Sequence, residues 1–144
     1  MKIIIQEPPR GEEESIVVNV RRMNENLMRA IDMLKNPGAL VAYNEGEAVF
    51  VQVGDIFYVE STAQRTFVYT EEQVYQSKLK LYEVESKLSE SDFLRVSRQV
   101  IVNIRKIKSI QPAGDGRLSA KLLNGEKVGI SRQYVPELKE RFGL

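Results

Sequence analysis

The sequence predicts a mainly β protein that is built from small sheets with a few short helices. Three observations support this fold class. Short runs rich in Val, Ile, Phe and Tyr recur from Ala39 onward, as is typical of strands. Tight-turn dipeptides such as Asp115-Gly116 and Asn124-Gly125 separate several of these runs. Only three stretches have the apolar spacing of an amphipathic helix, so the strands are not expected to alternate with helices in βαβ units.

Residues 1–38 are predicted to form a β-β-α extension that precedes a main domain over residues 39–144. Two β-branched runs, Ile3–Ile5 and Ser15–Val20, lie on either side of a polar stretch with proline and glycine. They are candidates for a small hairpin, because strand-like runs separated by turn residues are the usual signal for one.

The helix of the extension is predicted over Asn24–Asn36, with Asn24 as its N-cap and Pro37-Gly38 as its stop signal. Four apolar residues fall on one face of this helix: Leu27, Met28, Ile31 and Leu34. This stripe fits packing against a core and contact with a second copy equally well, and the sequence does not decide between them.

In the main domain, short apolar runs between turn signals predict nine strands. They cover Leu40–Tyr43, Ala48–Val53, Ile56–Glu60, Thr66–Tyr69, Gln73–Gln76, Phe93–Val96, Ile107–Gln111, Leu118–Leu122 and Lys127–Ile130. Helices are predicted over Leu79–Leu88 and Tyr134–Phe142 from their one-sided apolar residues. Five aromatic residues among Ile and Val are expected in the core rather than stacked on bases: Phe57, Tyr58, Phe67, Tyr69 and Phe93.

The composition excludes several kinds of functional site. The 144 residues include no cysteine and no histidine, which excludes disulfides, thiolate and imidazole metal ligands, and the commonest general base. No phosphate-binding loop or dinucleotide fingerprint is present. We therefore expect no catalytic residues, no metal and no cofactor, and the protein is not expected to be an enzyme. Without a signal peptide or an apolar run of roughly 18 residues, a cytoplasmic location without membrane insertion is expected.

The formal net charge of +1 conceals a strong asymmetry along the chain. Residues 1–92 contain 10 Lys and Arg against 16 Asp and Glu, whereas residues 93–133 contain 9 against 2. A basic half beside an acidic half is a hint of a surface that faces a polyanion. An accidental distribution is the alternative, and composition alone does not exclude it.

Three segments of residues 55–144 together resemble the LytTR DNA-binding domain of bacterial LytR/AgrA-family regulators. They are Asp55–Ser61 with Phe67–Thr70, Phe93–Asn103 with Ile107 and Ile110, and Leu123–Val128 with Ile130–Tyr134. The resemblance implies an elongated arrangement of small β-sheets and short helices, in which loops rather than a recognition helix enter successive major grooves of duplex DNA. Many such regulators carry a phospho-receiver domain, for which this chain has no room, so a stand-alone member is expected.

The resemblance also implies that side chains in three loops contact the DNA. Base contacts are expected from Gln64, Arg98, Gln99 and Arg132, since Arg pairs with guanine and Gln with adenine in the major groove. Phosphate contacts are expected from their neighbours Arg65, Ser97, Ser131 and Gln133. Some relatives have His and Asn where this chain has Gln64 and Arg98, so the resemblance implies the binding mode but not the target sequence.

A second group of phosphate contacts is expected from Arg105, Lys106 and Lys108, which follow Asn103 in a stretch of sequence without nearby acidic residues. Asn103 itself is expected to order the local backbone, because Asn side chains hydrogen-bond nearby main chain in turns.

The sequence favours a homodimer on two half-sites, and it leaves two other functions open. One is a protein-interaction module that binds a partner regulator or a membrane-protein tail, with the N-terminal extension as a contact for a partner protein. The acidic first part of the chain and the substituted loop residues favour this alternative. The other is a small-ligand sensor, for which no residues identify a pocket.

Overall fold

The computed structural model describes residues 2–35, 38–88 and 90–144. The chain divides into two compact units, Met1–Lys35 and Asn36–Leu144. Among the helices that the described residues form, none has the length and apolar character needed to cross a membrane.

The first unit contains the predicted helix, α1, which spans Glu25–Lys35. The helix end predicted at Asn36 lies outside the described residues. Asn24 is the N-cap, as predicted, because its Oδ1 accepts a hydrogen bond of 2.8 Å from the backbone N–H of Leu27. On the apolar stripe, Leu27 and Ile31 are half-buried, whereas Met28 and Leu34 are more than half exposed.

The predicted hairpin of the extension is wrong. Residues 2–24 contain no strand, and the apolar side chains of Ile3–Ile5 and Ser15–Val20 are exposed. A two-stranded hairpin is marginally stable in water unless a third strand or a helix covers its apolar face. The β-branched composition of these runs is therefore not sufficient to form strands.

The second unit contains two antiparallel sheets. Its strands are β1 (Ala39–Asn44), β2 (Glu47–Gln52), β3 (Ile56–Thr62), β4 (Arg65–Thr70), β5 (Val74–Ser77), β6 (Phe93–Arg95), β7 (Val100–Asn103), β8 (Ile107–Gly114), β9 (Arg117–Leu122) and β10 (Lys127–Ile130). Seven strands form one sheet in the order β2-β1-β5-β4-β3-β7-β6, and three form the other in the order β10-β9-β8. The helices are α2 (Leu81–Lys87) and α3 (Val135–Phe142). The mainly β fold class and all nine predicted strands are confirmed.

Strand β7 is the one that the sequence pattern did not predict. Its apolar residues Val100, Ile101 and Val102 are consecutive, so they show no alternation of polar and apolar side chains. The structure explains the pattern, because the seven-stranded sheet is covered on both faces in this region. Ile101 lies in one core and Val102 in the other. A short strand that is buried on both faces reads as a continuous apolar run.

The two cores lie on opposite faces of the seven-stranded sheet. On one face the sheet packs against α2 through Leu81, Val84 and Leu88. On the other face, Phe57 and Leu94 pack against the three-stranded sheet and α3. The expected burial is confirmed for Phe57 and Phe93, while the other three aromatic residues, Tyr58, Phe67 and Tyr69, are half-buried. The rings of Tyr58 and Tyr69 are stacked, with centroids 4.2 Å apart.

Candidate nucleic-acid interface

Four turns of the second unit lie at the same end of the sheets, and we call them the loop end: residues 62–65, 96–99, 114–117 and 131–133. Backbone contacts tie these turns together. The Ser61 N–H donates to the Gln99 carbonyl at 2.8 Å, and the Ser131 N–H donates to the Val96 carbonyl at 2.8 Å. The three loops that the sequence analysis identified are therefore neighbours in the fold.

The first of these loops is a two-residue hairpin turn that presents Gln64. The flanking residues Thr62 and Arg65 are paired across β3 and β4. Ala63 and Gln64 have φ angles of +49° and +63°, a left-handed conformation that costs roughly 1–2 kcal/mol for a residue other than glycine. Both residues are exposed. The turn therefore holds a strained backbone that displays the Gln64 side chain to solvent.

The second loop connects β6 to β7 and presents Arg98 and Gln99, both of which are exposed. The Ser97 side chain is half-buried, and its Oγ accepts a hydrogen bond of 3.2 Å from the Gln99 N–H. The guanidinium of Arg95 donates to the backbone carbonyls of Ser97 and Arg98. The loop is thus held from within by hydrogen bonds to its backbone, while the side chains of Arg98 and Gln99 are exposed.

The third loop follows β10 and contains a 3-10 turn at Arg132–Tyr134. Arg132 and Gln133 are exposed, whereas Ser131 is half-buried. The aliphatic part of Arg132 packs against the turn between β8 and β9. A methyl group placed on Gly116 would lie 3.0 Å from Arg132 Cγ and 3.1 Å from Cδ. Arg132, Ser131 and Gln133 line a shallow cleft with Asp115 and Arg117.

The second group of predicted phosphate contacts lies elsewhere. Arg105 and Lys106 belong to a 3-10 turn, Ile104–Lys106, at the opposite end of β7 from Arg98. Asn103 supports this turn as expected, because its buried Nδ2 donates to the Ile56 carbonyl at 2.8 Å and its Oδ1 accepts from the Arg105 N–H at 3.0 Å. The fold therefore does not bring Arg105 and Lys106 to the loop end.

The fold gives Arg105 an acidic neighbour, although the stretch of sequence around it contains no acidic residue. Its Nε lies 2.6 Å from Asp92 Oδ1, because the backbone of Ile104 hydrogen-bonds to the Asp92 carbonyl and brings the two segments together. The Arg105 side chain is still 76% exposed. An exposed ion pair of this kind contributes about 0–1 kcal/mol, so it restrains the guanidinium only weakly.

Lys106 also lies among acidic residues. Its Nζ is 5.1 Å from the centre of the Phe57 ring, and it shares a cleft with Asp55, Glu71 and Glu72. Lys108 lies further along on β8 and is exposed. Lys106 therefore has both an aromatic partner and carboxylate neighbours, which the linear sequence does not reveal.

The two ends of the second unit carry opposite charge. The loop end contains four arginines and one carboxylate: Arg65, Arg98, Arg117, Arg132 and Asp115. At the other end, the turns at residues 44–47, 53–55, 71–73, 104–106 and 123–126 contain six carboxylates and two basic residues, and we call this the acidic end. Because DNA carries a dense row of phosphates, the charge of the loop end is complementary to that of DNA, and the charge of the acidic end is not.

Two half-buried tyrosines between the ends are held in the protonated form. Burial raises the pKa of Tyr58 above its ordinary value, and a hydrogen bond to the Glu126 carboxylate adds to the effect. Burial also raises the pKa of Tyr69, with a further contribution from the negative charge of Glu60. Both hydroxyls therefore stay protonated to a higher pH than an ordinary tyrosine, and each has a carboxylate as its hydrogen-bond partner.

Sequence reasoning missed Arg95 and Gly116, which shape the second and third loops. A signal for Arg95 was present, because it occupies a position between Leu94 and Val96 in a strand whose other residues are buried. A charged residue inside a buried strand needs partners. For Gly116 the turn signal was recognised, but its contact with Arg132 depends on the tertiary fold.

Comparison with known proteins shows which family has this sequence and fold. The family model for the LytTr DNA-binding domain matches residues 46–143. Sensory transduction protein LytT of Enterococcus faecalis is 32% identical over 138 residues, which cover 92% of this chain and 57% of that protein. A protein described as an uncharacterized HTH-type transcriptional regulator of Staphylococcus aureus is 27% identical over 92% of this chain and 91% of its own length.

A solved structure supports the same assignment. The structure described as the LytTr DNA-binding domain of a putative methyl-accepting/DNA response regulator from Bacillus cereus superposes with a TM-score of 0.71 at 27% identity, over 74% of this chain and 98% of that domain. The match includes all four turns of the loop end, since the family model extends from residue 46 to residue 143. The chain belongs to the LytTr DNA-binding domain family.

Proposed function

We propose that this protein is a transcription regulator that reads the sequence of duplex DNA with the exposed side chains of the loop end. The observation that carries the proposal is the convergence of Gln64, Arg98, Gln99 and Arg132 on three neighbouring turns of one basic end. Arg can donate two hydrogen bonds to guanine, and Gln can pair with adenine, at their major-groove edges. These turns carry the residue types that distinguish base pairs.

The spacing of the turns fits a single stretch of duplex. The β3–β4 and β6–β7 turns are separated by two strand spacings in the order β4-β3-β7-β6, or about 10 Å. Base pairs are about 3.4 Å apart along DNA. Gln64 and Arg98 therefore suit base edges roughly three base pairs apart.

Phosphate contacts surround these base contacts in the proposal. Arg65, Ser97, Ser131 and Gln133 lie at the loop end beside the base-reading side chains. Replacing Arg65 by Ala should lower the slope of log K against log salt by about one, because each phosphate contact releases about one counterion.

The phosphate role of Arg105, Lys106 and Lys108 stays a separate prediction. If Lys106→Ala leaves the slope of log K against log salt unchanged, Lys106 does not contact a phosphate, and its role is the contact with the Phe57 ring.

We further propose a cytoplasmic homodimer on repeated half-sites, in which the N-terminal extension over residues 1–38 contributes the dimer contact. The exposed apolar side chains of Met28 and Leu34 on α1 support this role, since exposed apolar stripes mark association surfaces. Sedimentation of the free protein and of its DNA complex would show whether two copies assemble. Met28→Glu is expected to reduce the two-copy complex without changing the loop end.

The experiment that tests the function is selection of bound sites from randomised duplex DNA at two salt concentrations. We expect an enriched, repeated motif and binding that weakens steeply with salt, because phosphate contacts are salt-dependent. Recovery of no motif together with no salt-dependent retention would contradict the proposal. A stoichiometric protein partner recovered in that case would favour the interaction-module alternative.

A further inference from the structure

Arg95 lies on β6 with its side chain on the face of the sheet that packs against α2, and its guanidinium has three hydrogen-bond acceptors. Nε donates to the Ser97 carbonyl at 2.9 Å. One terminal nitrogen donates to the Arg98 carbonyl, and the other donates to Glu85 Oε2 at 2.8 Å. The guanidinium therefore joins the β6–β7 turn to α2.

The two carbonyls that Arg95 holds belong to consecutive residues of the turn. The Ser97 carbonyl belongs to the peptide before Arg98, and the Arg98 carbonyl belongs to the peptide after it. A hydrogen bond to each carbonyl therefore fixes the orientation of both peptides. The direction of the Arg98 side chain depends on these two peptides, because they flank its Cα. Arg95 thus controls where the proposed base-reading side chain points.

The planar guanidinium suits this role better than an ammonium group does. Its N–H groups are arranged in a rigid fork, so one side chain can bond two carbonyls and a carboxylate in a fixed geometry. The Arg95 side chain is only 24% exposed, so its removal leaves carbonyls of the turn without a partner at a partly buried site. Lysine has the same charge but cannot reproduce the fork.

Glu85 holds the guanidinium from the helix side. It follows the fully buried Val84 on α2, so the packing of the helix fixes its position. The helix start is also held, since the Lys80 N–H donates to Glu83 Oε1 at 3.2 Å, and the Glu83 N–H donates to the Lys80 carbonyl. The carboxylate therefore projects from a well-anchored element toward Arg95.

We propose that Arg95, held by Glu85, is a positioning residue that sets the base specificity of the β6–β7 turn, an inference that rests on the proposed DNA-reading function. Holding the turn in its reading conformation before binding reduces the entropy lost when Arg98 meets a base. A turn that is ordered before binding therefore strengthens specific complexes, in which Arg98 contacts a base. It does not strengthen non-specific complexes, because these depend on attraction between basic side chains and phosphates.

The primary test replaces Arg95 by Lys, which retains the charge and removes the fork. Fluorescence anisotropy would measure binding to the site selected by the wild-type protein and to a scrambled duplex, over a salt series. We expect specific affinity to fall about tenfold, which corresponds to the loss of one base contact, with unchanged binding to the scrambled duplex and an unchanged salt slope. The matched control is Arg141→Lys, because Arg141 lines the same cleft as Arg95 and Glu85.

A second variant separates positioning from electrostatics. Glu85→Gln removes a negative charge, so electrostatics alone would tighten binding to every duplex. Positioning instead predicts weaker discrimination between the selected and scrambled sites. The control Glu90→Gln removes the same charge from the same cleft. Thermal unfolding of each variant would confirm that the fold is retained, and amide hydrogen exchange at Arg98 and Gln99 should accelerate in Arg95→Lys and in Glu85→Gln.

The outcomes distinguish this inference from the function on which it rests. If the wild-type protein selects no site, the proposed function fails and the inference fails with it. If the wild-type protein discriminates strongly and both variants discriminate within twofold of it, the DNA-reading function stands and the positioning role of Arg95 is overturned.

Discussion

Gly116→Ala tests how the fold places Arg132, the proposed base-reading residue of the third loop. Gly116 has a φ of +75°, and a Cβ at this position would lie 3.0 Å from Arg132 Cγ. Carbon atoms in favourable contact are separated by about 3.5–4.0 Å. The Arg132 stem must therefore move by about half an ångström or more, and its guanidinium, at the far end of the side chain, moves with it.

Two effects of this substitution can be estimated separately. The left-handed backbone disfavours alanine by roughly 1–2 kcal/mol, and the smaller entropy of the unfolded alanine chain offsets part of this cost. We expect a net loss of about 1 kcal/mol in the free energy of unfolding, or a fall in Tm of about 4 °C for a domain of this size. Displacement of Arg132 should weaken specific DNA binding about fivefold to tenfold, because a bidentate base contact contributes about 1–3 kcal/mol and this change corresponds to the lower end of that range.

Gly125→Ala is the matched control. Gly125 has a φ of +89°, but a Cβ there would meet no atom within 4 Å. The Gly125→Ala variant should therefore lose about as much stability as Gly116→Ala. It should retain full discrimination between the selected site and a scrambled duplex. Thermal unfolding and competitive DNA binding would be measured for both variants. Equal discrimination by Gly116→Ala, Gly125→Ala and the wild-type protein would refute the reasoning, because the contact with Gly116 would then not determine the position of Arg132.

Three further predictions concern single side chains. Arg132→Ala should cost about 1–3 kcal/mol of specific binding and relax the preference at one base pair; wild-type affinity and site preference in a binding assay would exclude Arg132 as a base reader. Ala63→Asn should raise the free energy of unfolding by about 1 kcal/mol, since Asn tolerates the left-handed first position of this turn; a lower urea midpoint would contradict the strain argument. The raised pKa of Tyr58 means that its contribution to stability is complete below the ordinary tyrosine pKa of about 10 and is lost as the pH rises above it. Tyr58→Phe should therefore flatten the alkaline decline in the free energy of unfolding measured by urea titration, and an equally steep decline in this variant would contradict the argument.

Most strands could be predicted from the sequence because their signals are local. Alternating apolar residues and dipeptides such as Asp115-Gly116 depend only on neighbours along the chain. The N-terminal hairpin and β7 were mispredicted for opposite physical reasons. The hairpin has the composition of strands but lacks a surface on which to pack. Strand β7 is packed on both faces, so it lacks the alternating pattern by which strands are recognised.

In the candidate site, too, some features could be predicted from the sequence and others depend on the tertiary fold. The sequence identified the loops that carry Gln64, Arg98 and Arg132 through a family resemblance, and the base contacts of these residues stay a prediction. The contacts that orient them could not be predicted, because Glu85 lies ten residues from Arg95 and Gly116 lies sixteen residues from Arg132 along the chain. Likewise, the stretch around Arg105 contains no acidic residue, yet the fold brings Asp92 to it.

Charge is distributed differently in the folded domain than along the sequence. Composition divides the chain into an acidic first part and a basic later part, but the fold divides it by ends. Arg65 comes from the acidic part and lies at the basic loop end, while Arg105 and Lys106 come from the basic part and lie at the acidic end. A protein with a net charge of only +1 gains little from non-specific attraction to DNA. Under the proposed function, opposite charge on the two ends would instead orient the approaching domain, so that the turns with the proposed base-reading side chains meet the duplex first.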